Sequence, residues 1–291
     1  MDGDDLRARL APSPDGDVAP VLMPGVWDAW SALLAAQAGF EVLFVSGFAV
    51  AGTLLGRPDV GVLTQTEMAE AAGRVCASVP GAAVVVDADT GYGDAVNTVR
   101  TVELWEAAGA AGMFVEDQVW PKRCGHMAGK QVVAREDWLA KLRAVVSHRR
   151  HLHLTARTDA RAPRGLDEAI ERGRAAIDVG VDAVFVEAPE SIAELERIAA
   201  ALGSVTLVAN MVEFGRTPLL TPSELHDLGF DLVVSPLSGL LAATAALGGA
   251  YARLARAGSM RDALGDLATF DQFTELVGLD RARRLAAGEG A

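Results

Sequence analysis

The chain has 291 residues, 51% hydrophobic and 22% charged, a globular composition with length enough for a large core. A formal net charge of -13 argues against nucleic-acid binding, so a site for an anionic ligand has to be assembled locally from a few cations, a metal ion or backbone N–H groups. Two cysteines, no secretory segment and no apolar run near the ~18 residues of a membrane span predict a cytoplasmic protein with neither a disulfide framework nor a bilayer anchor.

Residues 1–19 are rich in Asp and poor in apolar periodicity, which predicts a loose lead-in or a short helix. From Pro20 a pattern repeats: a short apolar strand ending in Gly, Asp, Asn or Pro, then an Ala/Leu helix. The predicted strands are Pro20–Met23, Val42–Ser46, Ala83–Asp87, Gly112–Glu116, His153–Arg157, Ala183–Glu187, Thr206–Asn210 and Leu232–Ser235. The predicted helices are Trp27–Ala38, Thr66–Ser78, Ala95–Ala108, Arg135–Ser147, Leu166–Val179, Ile192–Ala201, Pro222–Leu228 and Gly239–Ala257. Gly39, Gly109, Gly180 and Gly203 stand where left-handed helix caps are expected. Runs such as AVVV and AVFV read as strands buried on both faces. The repeat predicts a (β/α)8 barrel. A doubly wound open sheet is the alternative, but no GxGxxG follows the first strand. Two short helices, Arg261–Leu267 and Phe270–Val277, follow the last unit. The expected organisation is a lead-in at 1–19, a catalytic barrel at 20–258 and a helical extension at 259–291.

In such a barrel the C-terminal strand ends carry the chemistry. Here they hold Ser46-Gly47, Asp87-Ala88-Asp89-Thr90-Gly91-Tyr92-Gly93, Glu116-Asp117, Arg157-Thr158-Asp159, Glu187 and Asn210. Asp87 and Asp89 point the same way if the strand is still extended there, and Glu116 lies on the next strand. Three carboxylates without a basic partner between them predict a site for a hard cation such as Mg²⁺, with Mn²⁺ as a substitute. Zinc is disfavoured because His/Cys ligand spacing is lacking. Arg157 ends an otherwise apolar or small strand and needs a partner, either a substrate carboxylate or Glu187.

The loop after the fourth strand, WPKRCGHMAGK, crowds Lys122, Arg123, Cys124, His126 and Lys130 into a short span. Neighbouring cations favour the thiolate of Cys124, which makes it a proton donor, an acceptor or a nucleophile. Cys76 reads as core, and His148, His151, His153 and His226 as surface or packing residues. His126 is placed near substrate, and Lys122 near the metal. Gly125 and Gly129 predict a loop that moves as a lid.

The segment EDQVWPKRCGHMAGKQVV, with DADTGYG before it and ARTDAR, FVEAP and NMVEFGRTPL after it, resembles the isocitrate lyase/phosphoenolpyruvate mutase superfamily. The likeness runs from about Val21 to Val277. It implies a (β/α)8 barrel, bound Mg²⁺ and C-terminal helices swapped between subunits of a homodimer or homotetramer. The Cys124-Gly125-His126 sequence resembles the carbon–carbon lyase branch rather than the phosphonate-forming mutases. By motif, the resemblance places Asp87, Asp89 and Glu116 at the metal. It places Ser46, Gly47, Phe48, Asp87, Gly125, Arg157, Glu187 and Asn210 at the substrate, and makes Cys124 the general acid, with Lys122, His126 and Arg157 beside it. The implied reaction is retro-aldol cleavage of a 2-hydroxy dicarboxylate to an α-keto acid and a second carboxylate.

The chain departs from that pattern at Phe44 and Phe48, where relatives carry tyrosines, and the general base is therefore unassigned. Leu241 and Phe270 stand where methylisocitrate lyases place arginines for a third carboxylate, so a dicarboxylate or smaller substrate is expected. Hydrolysis or decarboxylation of oxaloacetate, methylisocitrate cleavage, phosphonate chemistry and non-catalytic binding of an organic acid are the alternatives.

Overall fold

The computed structural model describes residues 1–11, 20–125, 127 and 129–289. The strands are β1 Val21–Val26, β2 Val42–Val45, β3 Ala83–Asp87, β4 Gly112–Glu116, β5 His153–Thr158, β6 Ala183–Val186, β7 Thr206–Asn210 and β8 Leu232–Ser235. The helices are α1 Gly3–Leu10, α2 Ala29–Gln37, α3 Gly47–Val50, α4 Gln65–Ser78, α5 Ala95–Ala108, α6 Arg135–His148, α7 Arg161–Arg164, α8 Leu166–Val179, α9 Ile192–Leu202, α10 Pro222–Asp227, α11 Ser238–Ala257, α12 Phe270–Leu276 and α13 Leu279–Ala286. The strands pair in sequence order and β8 closes on β1, all parallel. This is the expected (β/α)8 barrel.

Parallel strands need both faces covered, and the alternation of side chains divides the core accordingly. Outward residues such as Val45, Val86, Val115 and Val184 pack under the helices. Inward residues such as Met23, Phe44, Val85, Phe114, Phe185 and Val208 fill the barrel. Leu6 and Leu10 of α1 join that inner cluster. The lead-in is thus a helix capped by Asp2, and Arg7 bonds Asp182 and the carbonyl of Leu152. Gly3 is required by contact, since a Cβ there would fall 1.8 Å from the carbonyl oxygen of His151. Residues 12–19 lie outside the described residues.

Three local expectations are corrected. Gly39, Gly109 and Gly180 are left-handed, but Gly203 has φ -67° and is an ordinary residue at its helix end. The predicted strand end at Ser46 is a helix cap instead: its Oγ accepts from the amide of Ala49, and α3 runs into a π-turn over Ala51–Leu55. Cys76 is half-buried against the core rather than inside it, and burial pushes its thiol up to about 11.

The extra C-terminal helices are present. α11 has no buried residue along its length, and Leu247, Tyr251, Leu254, Phe270 and Phe273 are exposed. Among the described residues no helix is long and apolar enough to cross a membrane.

Candidate active site

The βα loops at the C-terminal end of the barrel enclose a cavity of about 50 Å³, room for a few water-sized groups. Its floor is aromatic. Phe44 stacks on Phe114 at 5.0 Å, and Phe114 meets Phe185 at 5.8 Å. Its walls carry Ser46, Phe48, Asp59, Asp87, Lys122, Cys124, Gly125, Arg157, Glu187 and Asn210. Seven separate stretches of sequence thus meet at one mouth; of the residues expected there, Gly47, Asp89 and Glu116 do not line the cavity itself.

The carboxylate corner forms where β3 and β4 end. The chain leaves the strand at Asp87, and Asp89 takes φ +45°, so the extended geometry expected of the pair is lost. Left-handed backbone is tolerated by Asp, and the turn is fixed by the Asp89 amide donating to Asp87 Oδ1 and the Glu116 amide donating to the Asp89 carbonyl. Asp89 therefore turns toward Lys122. The Lys122 ammonium lies 2.6 Å from Asp59 Oδ1 and 2.7 Å from Asp89 Oδ1, and is buried. Burial lifts Asp89 to about 7 against the pull of Lys122, with Asp87 and Asp59 adding to the rise. Lys122 itself is held well above its ordinary value, because its carboxylate partners outweigh burial.

Glu116 is 2% exposed, and its Oε1 has no hydrogen-bond partner among the described residues. Burial pushes its carboxyl well above the usual range, with Asp159 and Asp89 adding to the rise and Arg157 and Lys122 opposing it. Asp87 approaches the backbone so closely that a Cβ on Gly47 would lie 2.9 Å from Asp87 Oδ2. A hard cation fits this oxygen-only set and would supply the partner Glu116 Oε1 lacks. Among the described residues no three His, Cys, Asp or Glu side chains are grouped closely enough to hold a metal ion by themselves. An ion that keeps several waters, as Mg²⁺ does, would reach part of the set through them. Tyr92, at φ +59°, packs between Trp105 and Trp120 beside this corner, and burial followed by four nearby carboxylates raises its phenol.

Arg157 has its partner, and it is chiefly Asp159 rather than Glu187. Its Nε is 2.9 Å from Asp159 Oδ2, 3.4 Å from Glu116 Oε2, and Nη2 is 3.6 Å from Glu187 Oε2. The guanidinium lies 5.3 Å from the Phe185 ring centroid. Full burial would raise Asp159, yet Arg157 and Lys130 together hold it down at about 2. Asn210 donates toward Glu187 at 3.4 Å, while its Oδ1 is buried without a partner among the described residues, leaving an acceptor for a ligand hydroxyl.

The lid is folded in. Lys130 Nζ donates to the Gly125 carbonyl at 2.5 Å and to Asp159 Oδ1 at 2.7 Å. Gln118 holds the Arg123 amide and carbonyl. Gly129 is left-handed, as a flexible turn allows. Gly125 is a glycine for another reason: a Cβ there would sit 2.5 Å from Glu187 Cδ and 2.6 Å from Arg157 Nη2. Cys124 is half-buried and faces the cavity. His126 lies outside the described residues.

Sequence reasoning missed Asp59, and it placed Asp159 at the mouth without giving it a role. Asp59 sits in a loop with no metal-like spacing, and only the fold brings it to Lys122. Asp159 stands two residues beyond Arg157 on the same run, so its i, i+2 spacing was a usable signal. Asp117, beside Glu116, points out of the barrel to Thr158 and Arg172 and serves packing. Leu241 and Phe270 do not line the cavity, and Phe270 is 79% exposed.

The phosphoenolpyruvate phosphomutase family matches residues 15–255. The chain belongs to the phosphoenolpyruvate mutase/isocitrate lyase superfamily. It is 48% identical over 265 residues to the chloroplastic carboxyvinyl-carboxyphosphonate phosphorylmutase of Arabidopsis thaliana, covering 89% of this chain and 78% of that one. It is 40% identical over 267 residues to 2,3-dimethylmalate lyase of Eubacterium barkeri, covering 91% and 92%. Among solved structures, oxaloacetate acetylhydrolase in complex with 3,3-difluorooxalacetate superposes with a TM-score of 0.93 at 34% identity, covering 99% of this chain and 98% of that one. Within the superfamily this chain is an enzyme of the carbon–carbon lyase class.

Proposed function

We propose that this superfamily member cleaves a 2-hydroxy dicarboxylate of the 2-alkylmalate type to an α-keto acid and a carboxylate. The observation that supports the reading is that Cys124, on the lid, lines the same small cavity as Asp87, Lys122, Arg157 and Asn210. Mg²⁺, or Mn²⁺ in its place, held by Asp87, Asp89 and Glu116 directly or through waters, would neutralise charge on the substrate's 2-oxygen and its neighbouring carboxylate. Arg157, Ser46 and the Gly47 backbone orient the carboxylates, and Asn210 Oδ1 accepts from the 2-hydroxyl. Glu187 braces Asn210 and Arg157. Phe48 and the aromatic floor exclude water. Lys122 holds Asp59 and Asp89 in place and balances the negative corner. A base takes the proton of the 2-hydroxyl, C2 becomes the keto carbon as the C2–C3 bond breaks, C3 gains the electron pair, and the Cys124 thiol delivers a proton to C3. His126 is assigned to the substrate side of the lid.

The lyase acts here within a barrel at 20–258, with 1–19 as lead-in and 259–291 as extension. The exposed apolar residues of α11 and α12 suit a homodimer or homotetramer in which those helices are exchanged, and light scattering checks it. A cytoplasmic setting accompanies the reading.

The test is keto-acid release from malates, 2-alkylmalates, isocitrates and oxaloacetate, with and without Mg²⁺. Metal-dependent release from 2-alkylmalates is expected. Much faster cleavage of 2-methylisocitrate than of any malate would defeat the dicarboxylate assignment. A second reading, oxaloacetate hydrolysis, is favoured by the similarity to oxaloacetate acetylhydrolase; oxalate and acetate released from oxaloacetate, with no keto acid from 2-alkylmalates, would favour it, and loss of 2-alkylmalate cleavage in Cys124→Ala would favour the thiol-acid lyase.

A further inference from the structure

The turn that carries Asp89 is held in a costly shape. Asp89, Gly91 and Tyr92 take φ +45°, +82° and +59°. Left-handed backbone at a bulky aromatic residue is an outlier, and it persists only where the surroundings over-determine it. Four successive carbonyls of the turn show what does so. That of Ala88 accepts from the Gly91 amide at 2.8 Å, and that of Asp89 from the Glu116 amide at 2.8 Å. That of Gly91 accepts from Thr101 Oγ1 of α5 at 3.2 Å. That of Thr90 accepts from Lys141 Nζ of α6 at 2.8 Å.

Lys141 has no part in the chemistry proposed above, yet it is buried. A neutral donor suffices for one carbonyl, as Thr101 shows at the next residue. Burying an ammonium is expensive, and burial pushes Lys141 below its ordinary value, with Asp137, Asp94 and Glu116 opposing that. Its helix gives the ammonium a fixed base. About one turn earlier, Trp138 is fully buried and its indole N–H donates to the Val115 carbonyl at 3.4 Å. α6 thus grips β4 just before Glu116 and the turn just after Asp89.

We propose that Lys141 is a positioning residue for the carboxylate corner: by holding the Thr90 carbonyl from the helix layer, it keeps Asp89 turned toward Lys122 and in place for Mg²⁺. The part played toward Mg²⁺ rests on the reading of Asp87, Asp89 and Glu116 as the metal site.

Two measurements on the full chain, freed of metal by chelation, test this in wild type, Lys141→Met, Lys141→Gln and Lys141→Arg. Lys141→Met keeps the length and packing of the side chain and removes its N–H donors. Hydrogen exchange by NMR reads the amides of Asp89, Gly91 and Glu116. Exchange there is expected to quicken about tenfold or more in Lys141→Met, while amides of β7 and α9 keep their wild-type rates. Calorimetric titration with Mg²⁺ alone is expected to show affinity lowered about 10–100-fold. Lys141→Arg, which still offers a charged N–H, is expected to restore most of both. Lys141→Gln carries the same expectation as Lys141→Met, so a poorly folded Met variant leaves the test standing. Unchanged exchange at the three amides, a quickening spread equally through α6, β4 and β7, or Mg²⁺ affinity equal to that of wild type overturns the proposal and leaves the metal reading intact. If wild type binds no Mg²⁺, the metal reading fails and exchange alone decides: quickening confined to the turn and Glu116 supports the positioning role, and its absence overturns it.

Discussion

Gly125→Ala is the sharpest probe of how the lid meets the site. The added Cβ would lie 2.5 Å from Glu187 Cδ and 2.6 Å from Arg157 Nη2, where ordinary contact begins at 3.4 Å. Neither neighbour can yield easily. Arg157 is held by Asp159, Glu116 and Glu187, and Glu187 is fully buried. The lid must therefore stand off by about 1 Å, carrying Cys124 with it. A displacement of about 1 Å at a reacting group lowers rate on the order of 100-fold, or about 2.7 kcal/mol on the barrier. Gly125 itself does not have a positive φ, so the fold should hold, with Tm within about 3 °C of wild type. Keto-acid production under Mg²⁺, measured alongside thermal unfolding, reads both effects. A kcat/KM within threefold of wild type would refute the reasoning, because the lid would then close without touching Arg157 and Glu187.

Other outcomes follow from the same geometry. Cys124→Ala should lower lyase turnover by about 10²–10⁴-fold while leaving the thermal shift on adding Mg²⁺ unchanged, since the thiol moves a proton and holds no metal. Lys130→Met should lose about 3 kcal/mol in urea unfolding, because Asp159 stays buried with one cation fewer; no loss would mean that Arg157 alone satisfies it. His153 is 1% exposed and burial lowers it to about 4. Its neutral form is favoured by folding, so its contribution is present above pH ~6.5 and is lost as pH falls toward 4, by at most about 3 kcal/mol. His153→Gln should flatten urea midpoints across that window, and an unaltered slope would show that another group governs acid loss.

The barrel was legible because its signals are local and redundant. Strands such as AVVV and AVFV are apolar throughout, and glycines at 109 and 180 mark where helices stop. The strand-end rule then gathered Ser46, Asp87, Glu116, Arg157 and Asn210 without any contact information. It failed where backbone conformation departs from the element it extends. Asp89 shares the direction of Asp87 only if the chain stays extended past the strand, and φ +45° turns it to Lys122 instead. It also failed where a partner is distant in sequence, as with Asp59 and Lys122. Gly125 shows a subtler limit: sequence reports a glycine but not whether it serves motion or close approach, and here Arg157 and Glu187 decide for close approach.

The central claim is that the cavity breaks C2–C3 of a 2-alkylmalate and that a protein group protonates C3. Incubation of the intact enzyme with 2,3-dimethylmalate and Mg²⁺ in D₂O, followed by proton and carbon NMR, tests both parts at once. The account predicts pyruvate together with propionate carrying one deuterium at C2 in a single configuration, as a proton donor fixed on one face requires. Unchanged 2,3-dimethylmalate, alongside oxalate and acetate formed from oxaloacetate under the same conditions, would contradict it.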